Sequence, residues 1–181
     1  MDYFPAHALR QFNNDSRIGK VKGVNVGDTW QSREAVYDAK VHTNKFAGIS
    51  GSRTNGAFSV VLSGGYEDDI DQGDVIIYTG TGGRDDKYGC WGGSQKQTRP
   101  QTFEHDNNKA LQISYRRKTP IRVIRGLGDP KNISYRYDGL YDVVEAKLAK
   151  GRQGHQICQF KFVRQEGQAP LPQPEQFYDY Y

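Results

Sequence analysis

Apolar side chains recur along this chain mostly in short, strand-like stretches. The clearest is residues 156–163, where Cys158, Phe160 and Phe162 alternate with Gln159 and Lys161. That period of two predicts a half-buried strand. Ala57-Phe58-Ser59-Val60-Val61-Leu62 is rich in strand formers and runs into Ser63-Gly64-Gly65, and Val75-Ile76-Ile77-Tyr78-Thr79 is bounded by Gly73 and Gly80. Both read as strands closed by turns. Residues 121–125 and 141–146 read as two further strands, and residues 29–41, with Trp30, Val36 and Tyr37, read as extended. The best helix is residues 106–114, with Asp106 as N-cap and Ala110, Leu111 and Ile113 as its apolar positions.

Between these elements the chain is punctuated. Gly19, Gly23 and Gly27 among valines suit a turn before the first strand, and residues 84–103 form a long polar loop rich in Gly, Lys and Gln. Loops longer than about 12–15 residues in compact domains are usually functional or disordered. The division expected is a leader over residues 1–18 that packs on the body, with a helical turn at 6–12; one domain over residues 19–164; and a flexible tail over residues 165–181, which holds three of the seven prolines. The pattern predicts an α+β fold, mainly β, with a curved or barrel-like sheet and one or two packed helices.

Composition agrees with this and narrows the function. The 181 residues include 21 glycines and twelve tyrosines, with 12% aromatics, as a turn-rich β protein requires. No apolar run approaches the roughly 18 residues of a membrane span. The opening MDYFPAHALR lacks the basic and apolar regions of a secretory signal. Two cysteines, Cys90 and Cys158, exclude a disulfide scaffold and a four-cysteine zinc site, and favour a reducing compartment.

Charge is unevenly placed. The net charge is +4, yet residues 1–164 hold all 25 basic residues against 18 acids, and seven of those acids lie between Glu67 and Asp86. A basic body thus surrounds one acidic segment. Such a body suits a polyanion, nucleic acid first, though an ordinary solvated surface would look similar.

The acidic segment is also the densest in candidate chemistry. It contains Gly64-Gly65-Tyr66-Glu67-Asp68-Asp69-Ile70-Asp71, then Tyr78-Thr79-Gly80-Thr81-Gly82-Gly83-Arg84. Two tyrosines flanked by glycines could sandwich a planar ring, and an acid between them could accept from an exocyclic amine, as carboxylates do from cytosine N4. A plain hairpin with solvated acids, or a cation site, are the competing readings. Asp69-Ile70-Asp71-Gln72-Gly73 lacks the third acid and the downstream Glu of an EF-hand loop. Gly80-Thr81-Gly82-Gly83 lacks dinucleotide-fingerprint spacing, the four histidines are dispersed, and Cys90 has no evident catalytic partner.

Taken together, the motifs resemble one family. Gly64 to Asp69 and Tyr78 to Asp85 are joined by Tyr137-Asp138-Gly139 within Arg136-Tyr137-Asp138-Gly139-Leu140-Tyr141, by Gly23-Val24-Asn25-Val26-Gly27-Asp28-Thr29-Trp30, by Ala47-Gly48-Ile49 with Gly51, by Asn108-Lys109-Ala110-Leu111, and by Pro120-Ile121-Arg122-Val123-Ile124-Arg125-Gly126. In this order, over residues 19–163, they resemble the SRA (SET and RING associated, or YDG) domain.

The resemblance implies a curved, PUA-like β structure with helices packed outside. It implies binding of double-stranded DNA with 5-methylcytosine, often hemimethylated, by flipping the base into a pocket. By position, Tyr66 and Tyr78 would stack on the base and Asp69 would accept from N4. The backbone of Gly65 and Thr79 would serve its remaining polar edge, and Thr81, with Tyr66 and Thr79, would shape the methyl space. One loop would bring Asn44, Lys45 and Phe46 to the duplex, with Phe46 a plausible wedge and a core position its alternative. The second, 84–103, lacks the Asn-Lys-Arg finger of the animal proteins; Trp91, Gln95 or Lys96 would substitute. Arg33, Arg53, Arg84, Arg99 and Lys109 are candidate phosphate contacts.

The reading is a non-catalytic, nuclear DNA-binding module without metal or cofactor, with chromatin or methylation-machinery proteins as further partners. The alternatives are a reader of 5-hydroxymethylcytosine or another modified base, a recognition subunit working with a nuclease, and an enzyme holding a metal on Asp68, Asp69 and Asp71.

Overall fold

A computed structural model describes residues 15–84, 96–129 and 131–173. The expected turn at 6–12 and the end of the tail lie outside them. Ten elements follow in order: β1 (Thr29–Trp30), α1 (Arg33–Asp38), β2 (Ile49–Ser52), β3 (Gly56–Leu62), β4 (Ile70–Asp71), β5 (Val75–Thr79), α2 (Asp106–Arg117), β6 (Ile121–Leu127), β7 (Ser134–Lys150) and β8 (Gln156–Arg164). The strands form one sheet in the order β2-β3-β6-β7-β8-β5-β4, with β1 added on β7. Its β3–β6 pair is parallel and the other pairs are antiparallel. β2 and β4 stand at the two ends of this order, so the sheet is curved but open rather than a closed barrel.

Two apolar clusters cover the sheet. Alternation along β3 sends Val60 and Leu62 into the larger one and Val61 into the smaller. On β7, Tyr135 and Tyr137 join the smaller cluster, whereas Tyr141 and Val143 join the larger. Residues an even number apart share a face unless the register slips. It slips at Asp138: Val123 faces Gly139 and Ile124 faces Tyr137, which leaves Asp138 unpaired in a bulge. Gly139 meets the bulge with φ +101°, a conformation that favours glycine. Asp138 is fully buried there, with Arg136 Nε 2.6 Å from its Oδ1 and Arg125 paired to it. Arg125 in turn holds Asp71 through two bonds of 2.7 and 2.8 Å. The Tyr-Asp-Gly signature is therefore a structural knot that anchors the acidic hairpin.

The strand pattern of residues 57–62, 75–79, 121–125 and 156–163 matches β3, β5, β6 and β8, and β7 extends well beyond 141–146. Three expectations change. Residues 29–41 are not extended throughout. After β1, the Ser32 hydroxyl accepts from Ala35 N–H at 3.1 Å and caps α1, whose Val36 is buried. The N-cap of α2 is His105 rather than Asp106; Nδ1 accepts from Asn107 N–H, and Asp106 becomes the first residue, where its charge meets the positive helix end. Finally, residues 165–173, expected to be flexible, lie against the sheet. The Gln168 amide accepts from Leu140 N–H and donates to Leu140 C=O, both at 2.8 Å, over the space Gly139 leaves open.

Candidate nucleic-acid interface

β3 ends at Leu62, and the chain returns through Tyr66 and Asp69 to the β4–β5 hairpin. The Tyr66 carbonyl accepts from Asp69 N–H at 3.3 Å, which closes the turn. Asp69 Oδ1 accepts from Thr79 N–H at 2.8 Å, so the carboxylate is fixed across the hairpin. Burial pushes this carboxyl up to about 6 from 3.8, aided by Asp68 and opposed by the Thr79 bonds and by Arg84.

The two tyrosines differ. Tyr78 is 6% exposed, its ring centroid is 5.3 Å from that of Phe162, and burial holds its hydroxyl far above the usual phenol range. Tyr66 is half-buried and carries the Arg84 guanidinium 4.0 Å above its ring centre. Arg84 Nη1 also donates to Gly65 C=O at 2.7 Å. Arg84 therefore braces Tyr66 and Gly65, where the sequence suggests a phosphate contact.

Three buried amides hold the 79–83 segment. Asn108 is fully buried; its Oδ1 accepts from Thr81 N–H at 2.8 Å and its Nδ2 donates to the carbonyls of Thr81 and Thr102. Gln101 donates to the carbonyls of Gly80 and Gly82 and accepts from Cys158 N–H. Gln97 donates to the carbonyls of Gly82 and Arg99. A Cβ on Gly80 would lie 2.5 Å from Asn108 Oδ1 and 2.9 Å from Cys158 Cβ, so this approach admits only glycine. The clamping role of these amides is not readable from sequence spacing; a buried Asn on the apolar face of the predicted helix was the available signal.

The loop after α1 is equally well held. Arg33 Nη2 donates to the carbonyls of Asn44 and Ala47 at 3.0 and 2.6 Å. His42 is buried, with Nε2 2.9 Å from Ala47 O and Nδ1 2.8 Å from Ser59 Oγ, and burial lowers its pKa to about 3, which keeps it neutral. Asn44 Oδ1 accepts from the N–H groups of Phe46 and Ala47 at 2.9 and 2.8 Å. Lys45 pairs with Glu34 at 2.8 Å. Of the three residues expected at the duplex, Asn44 thus shapes the loop and Lys45 is paired across it. Phe46 is 79% exposed, which removes the core alternative. Past the loop, Gly48 O lies 3.4 Å from Tyr78 Oη and accepts from Val61 N–H at 2.7 Å, joining loop and hairpin.

The other basic candidates divide. Arg33 serves the loop, and Arg53 pairs with Asp106 and Glu104 at the start of α2. Arg99 donates to Arg84 C=O at 3.2 Å, and Lys109 to Gln112 at 3.2 Å. Lys96 is exposed, while Trp91, Gln95 and Cys90 lie outside the described residues. The acids of the metal reading are dispersed into separate tasks: Asp68 Oδ1 accepts from Arg152 N–H at 2.9 Å, and Asp71 pairs with Arg125. Among the described residues no three His, Cys, Asp or Glu side chains gather as a metal ion needs.

Comparison with known proteins finds relatives that match most of the chain. A UHRF1-like protein of Cryptococcus neoformans var. grubii is 44% identical over 177 residues, covering 92% of this chain. Rat E3 ubiquitin-protein ligase UHRF1 is 34% identical over 180 residues. The chain spans 52% and 22% of the lengths of these two relatives. Among solved structures, the SUVH5 SRA domain in complex with hemimethylated CG DNA is 38% identical, with a TM-score of 0.71 over 86% of this chain and 99% of that one. The same domain bound to fully hydroxymethylated CG DNA matches at 39% identity and a TM-score of 0.72. The modification-dependent TagI restriction endonuclease is 40% identical, with a TM-score of 0.73 over 82% of this chain and 52% of that one. Residues 17–168 match the SAD/SRA domain, and the chain belongs to that family.

Proposed function

We propose that this domain binds double-stranded DNA containing a modified cytosine and takes the base, flipped out of the helix, between Tyr66 and Tyr78. The observation that carries the reading is the Asp69 carboxylate. Oδ1 accepts from Thr79 N–H, and beyond Thr79 no hydrogen bond to this carboxylate is made among the described residues, so acceptor capacity is left for an exocyclic amine. Cytosine N4 supplies such a donor. Gly65 and Thr79 border the base's remaining polar edge, and Thr81, fixed by Asn108, helps shape the space for the 5-substituent. Phe46 enters the stack where the base has left.

The energetics are balanced. Extrusion costs a few kcal/mol of unstacking. Stacking on an aromatic side chain returns about 1–3 kcal/mol per base. A hydrogen bond to a charged group adds about 1.5–3 kcal/mol. A pocket already assembled by Asn108, Gln101 and Arg84 spends little of this on ordering itself.

Within this reading the domain recognises and does not catalyse. Ubiquitin-ligase, methyltransferase or nuclease chemistry would be the work of segments or chains outside it. Chromatin or methylation-machinery proteins are the partners such a module serves, and its substrate places it in the nucleus. A reader of hydroxymethylated DNA, or a recognition element acting with a nuclease, is the second reading; support comes from the likeness to the hydroxymethylated SUVH5 complex and to TagI.

Competition binding at fixed salt tests this, with one duplex in unmethylated, hemimethylated, fully methylated and hydroxymethylated forms at a single CpG. Preference for a modified form is expected, and its rank identifies the ligand. Equal binding of all four forms rejects the pocket.

A further inference from the structure

Residues from 16–22 and 37–43, with Arg122, line a cleft of about 880 Å³. Five cationic side chains line it, Arg17, Lys20, Lys22, Lys40 and Arg122, against the single carboxylate of Asp38. Arg17 is neutralised by Asp15 at 2.7 Å. Lys20, Lys22 and Lys40 have no ion pair among the described residues.

Arg122 sets the character of the cleft. It is 2% exposed, and among the described residues no carboxylate hydrogen-bonds it, Asp15 acting on it only through space. Its Nε, Nη1 and Nη2 donate to the carbonyls of Gly19, Lys40 and Ser16 at 2.6, 3.0 and 3.2 Å. Carbonyl dipoles fix the guanidinium but do not cancel its charge. Asp15, already bonded to Arg17, offsets part of that charge, and the rest, fixed in a low-dielectric wall, strengthens the field of the lysines that line the cleft.

The cleft adjoins the loop that carries Phe46. Thr43, in its wall, directly precedes Asn44, and the Tyr37 ring, also in its wall, lies 5.0 Å beneath Lys45 Nζ. A peptide partner would need an apolar anchor. Tyr37 is the one aromatic in the lining, and the Lys45 ammonium sits over its ring.

We propose that this cleft binds the sugar–phosphate backbone of the duplex beside the point of Phe46 insertion, a second anchorage that extends the footprint without reading sequence. It rests on the DNA-binding reading above.

The test is the triple variant Lys20→Gln, Lys22→Gln, Lys40→Asn; Asn suits the positive φ of Lys40. Arg122 is left intact because it supports the fold. Each lost phosphate contact lowers the slope of log K against log salt by about 0.9. The expected result is a slope smaller by about 2–3 and a comparable loss of affinity, on the order of 10- to 100-fold at moderate salt, for methylated and unmethylated duplexes. The ratio between them and the melting temperature should stay unchanged. A control triple variant, Lys131→Gln, Lys147→Gln, Lys150→Gln, should leave the slope near that of the wild type. Slope and affinity unchanged in the cleft variant, an equal loss in the control, or loss only of binding to a polyglutamate peptide would each overturn the proposal. Wild-type protein that ignores base modification would instead reject the pocket, while an unchanged salt slope with intact preference rejects the cleft alone.

Discussion

Asp69→Asn should move stability and recognition in opposite directions. In the free protein the carboxyl is raised from 3.8 to about 6, mainly by burial, so near neutral pH it is held ionised at a cost to the fold. At about 1.36 kcal/mol per pKa unit the ceiling on that cost is near 3 kcal/mol. Asn keeps the acceptor for Thr79 N–H, and the half-buried site retains some solvent screening, which leaves a gain of about 1–2 kcal/mol. For a chain of this size that corresponds to a melting-temperature rise of about 2–8 °C. The sign in pH follows from proton linkage. Folded Asp69 binds its proton more readily than unfolded Asp69, so wild-type stability from this group rises as pH falls from about 6 toward 3.8. The advantage of the variant therefore closes over the same window. Recognition should suffer because Thr79 N–H fixes the amide oxygen, and the Asn NH₂ then faces the donor on cytosine N4. A loss of about 10- to 100-fold in preference for modified DNA is expected from one charge-assisted bond. Thermal melts from pH 4 to 8 and competition binding read the two effects. A variant no more stable at pH 7.5, or a gap that persists to pH 4, refutes the argument about burial; an intact preference refutes the contact to N4.

Phe46→Ala removes a side chain that is 79% exposed, so stability should change by no more than about 0.5 kcal/mol. Duplex affinity should fall on the order of tenfold, with loss of the fluorescence of a base analogue placed at the flipped position. Asp138→Asn removes the one fully buried carboxylate that pairs Arg125 and Arg136 and should cost about 3–5 kcal/mol in denaturant unfolding. Its preference among duplexes should survive at low temperature, because Asp69 keeps its own bond to Thr79 N–H. Gly80→Ala forces a Cβ to within 2.5 Å of Asn108 Oδ1, and should weaken modified-base binding more than phosphate binding in the same competition assay.

The sheet was legible because its signal is local. The period of two in residues 156–163 survives in β8, where Phe160 and Phe162 are fully buried. The helix α1 was not, because Val36 and Tyr37 favour strands, and the decision falls to one hydroxyl, that of Ser32. The candidate site was legible in its aromatic and acidic parts, since Tyr66, Asp69 and Tyr78 lie close together in the sequence. Its supports come from elsewhere in the chain: Asn108 lies 27 residues beyond the Thr81 it holds, and Gln101 lies 57 residues before the Cys158 whose N–H it accepts. No window of sequence pairs such residues. Arginines mislead for a related reason. Arg33 and Arg84 look like surface cations in the sequence, and only the fold shows their donors bonded to the protein's own carbonyls.

These supports also connect the two functional segments. Gly48 closes the Phe46 loop, and its carbonyl takes Val61 N–H and faces the hydroxyl of Tyr78. A Cβ on Gly48 would approach Tyr78 Oη to 3.1 Å, so the loop and the aromatic wall pack without slack. The proposed wedge and the proposed pocket are then held against each other in the free protein. On the proposed reading, binding energy goes to unstacking the base and not to ordering the protein. His42 keeps that spacing independent of pH: with its pKa near 3, its bonds to Ala47 and Ser59 are those of a neutral ring across the physiological range. Asp69, near 6, is the site group whose charge changes closest to that range. The geometry of insertion should thus stay constant from pH 5 to 8 while the stability term of Asp69 changes, which separates the wedge from the pocket in a single titration.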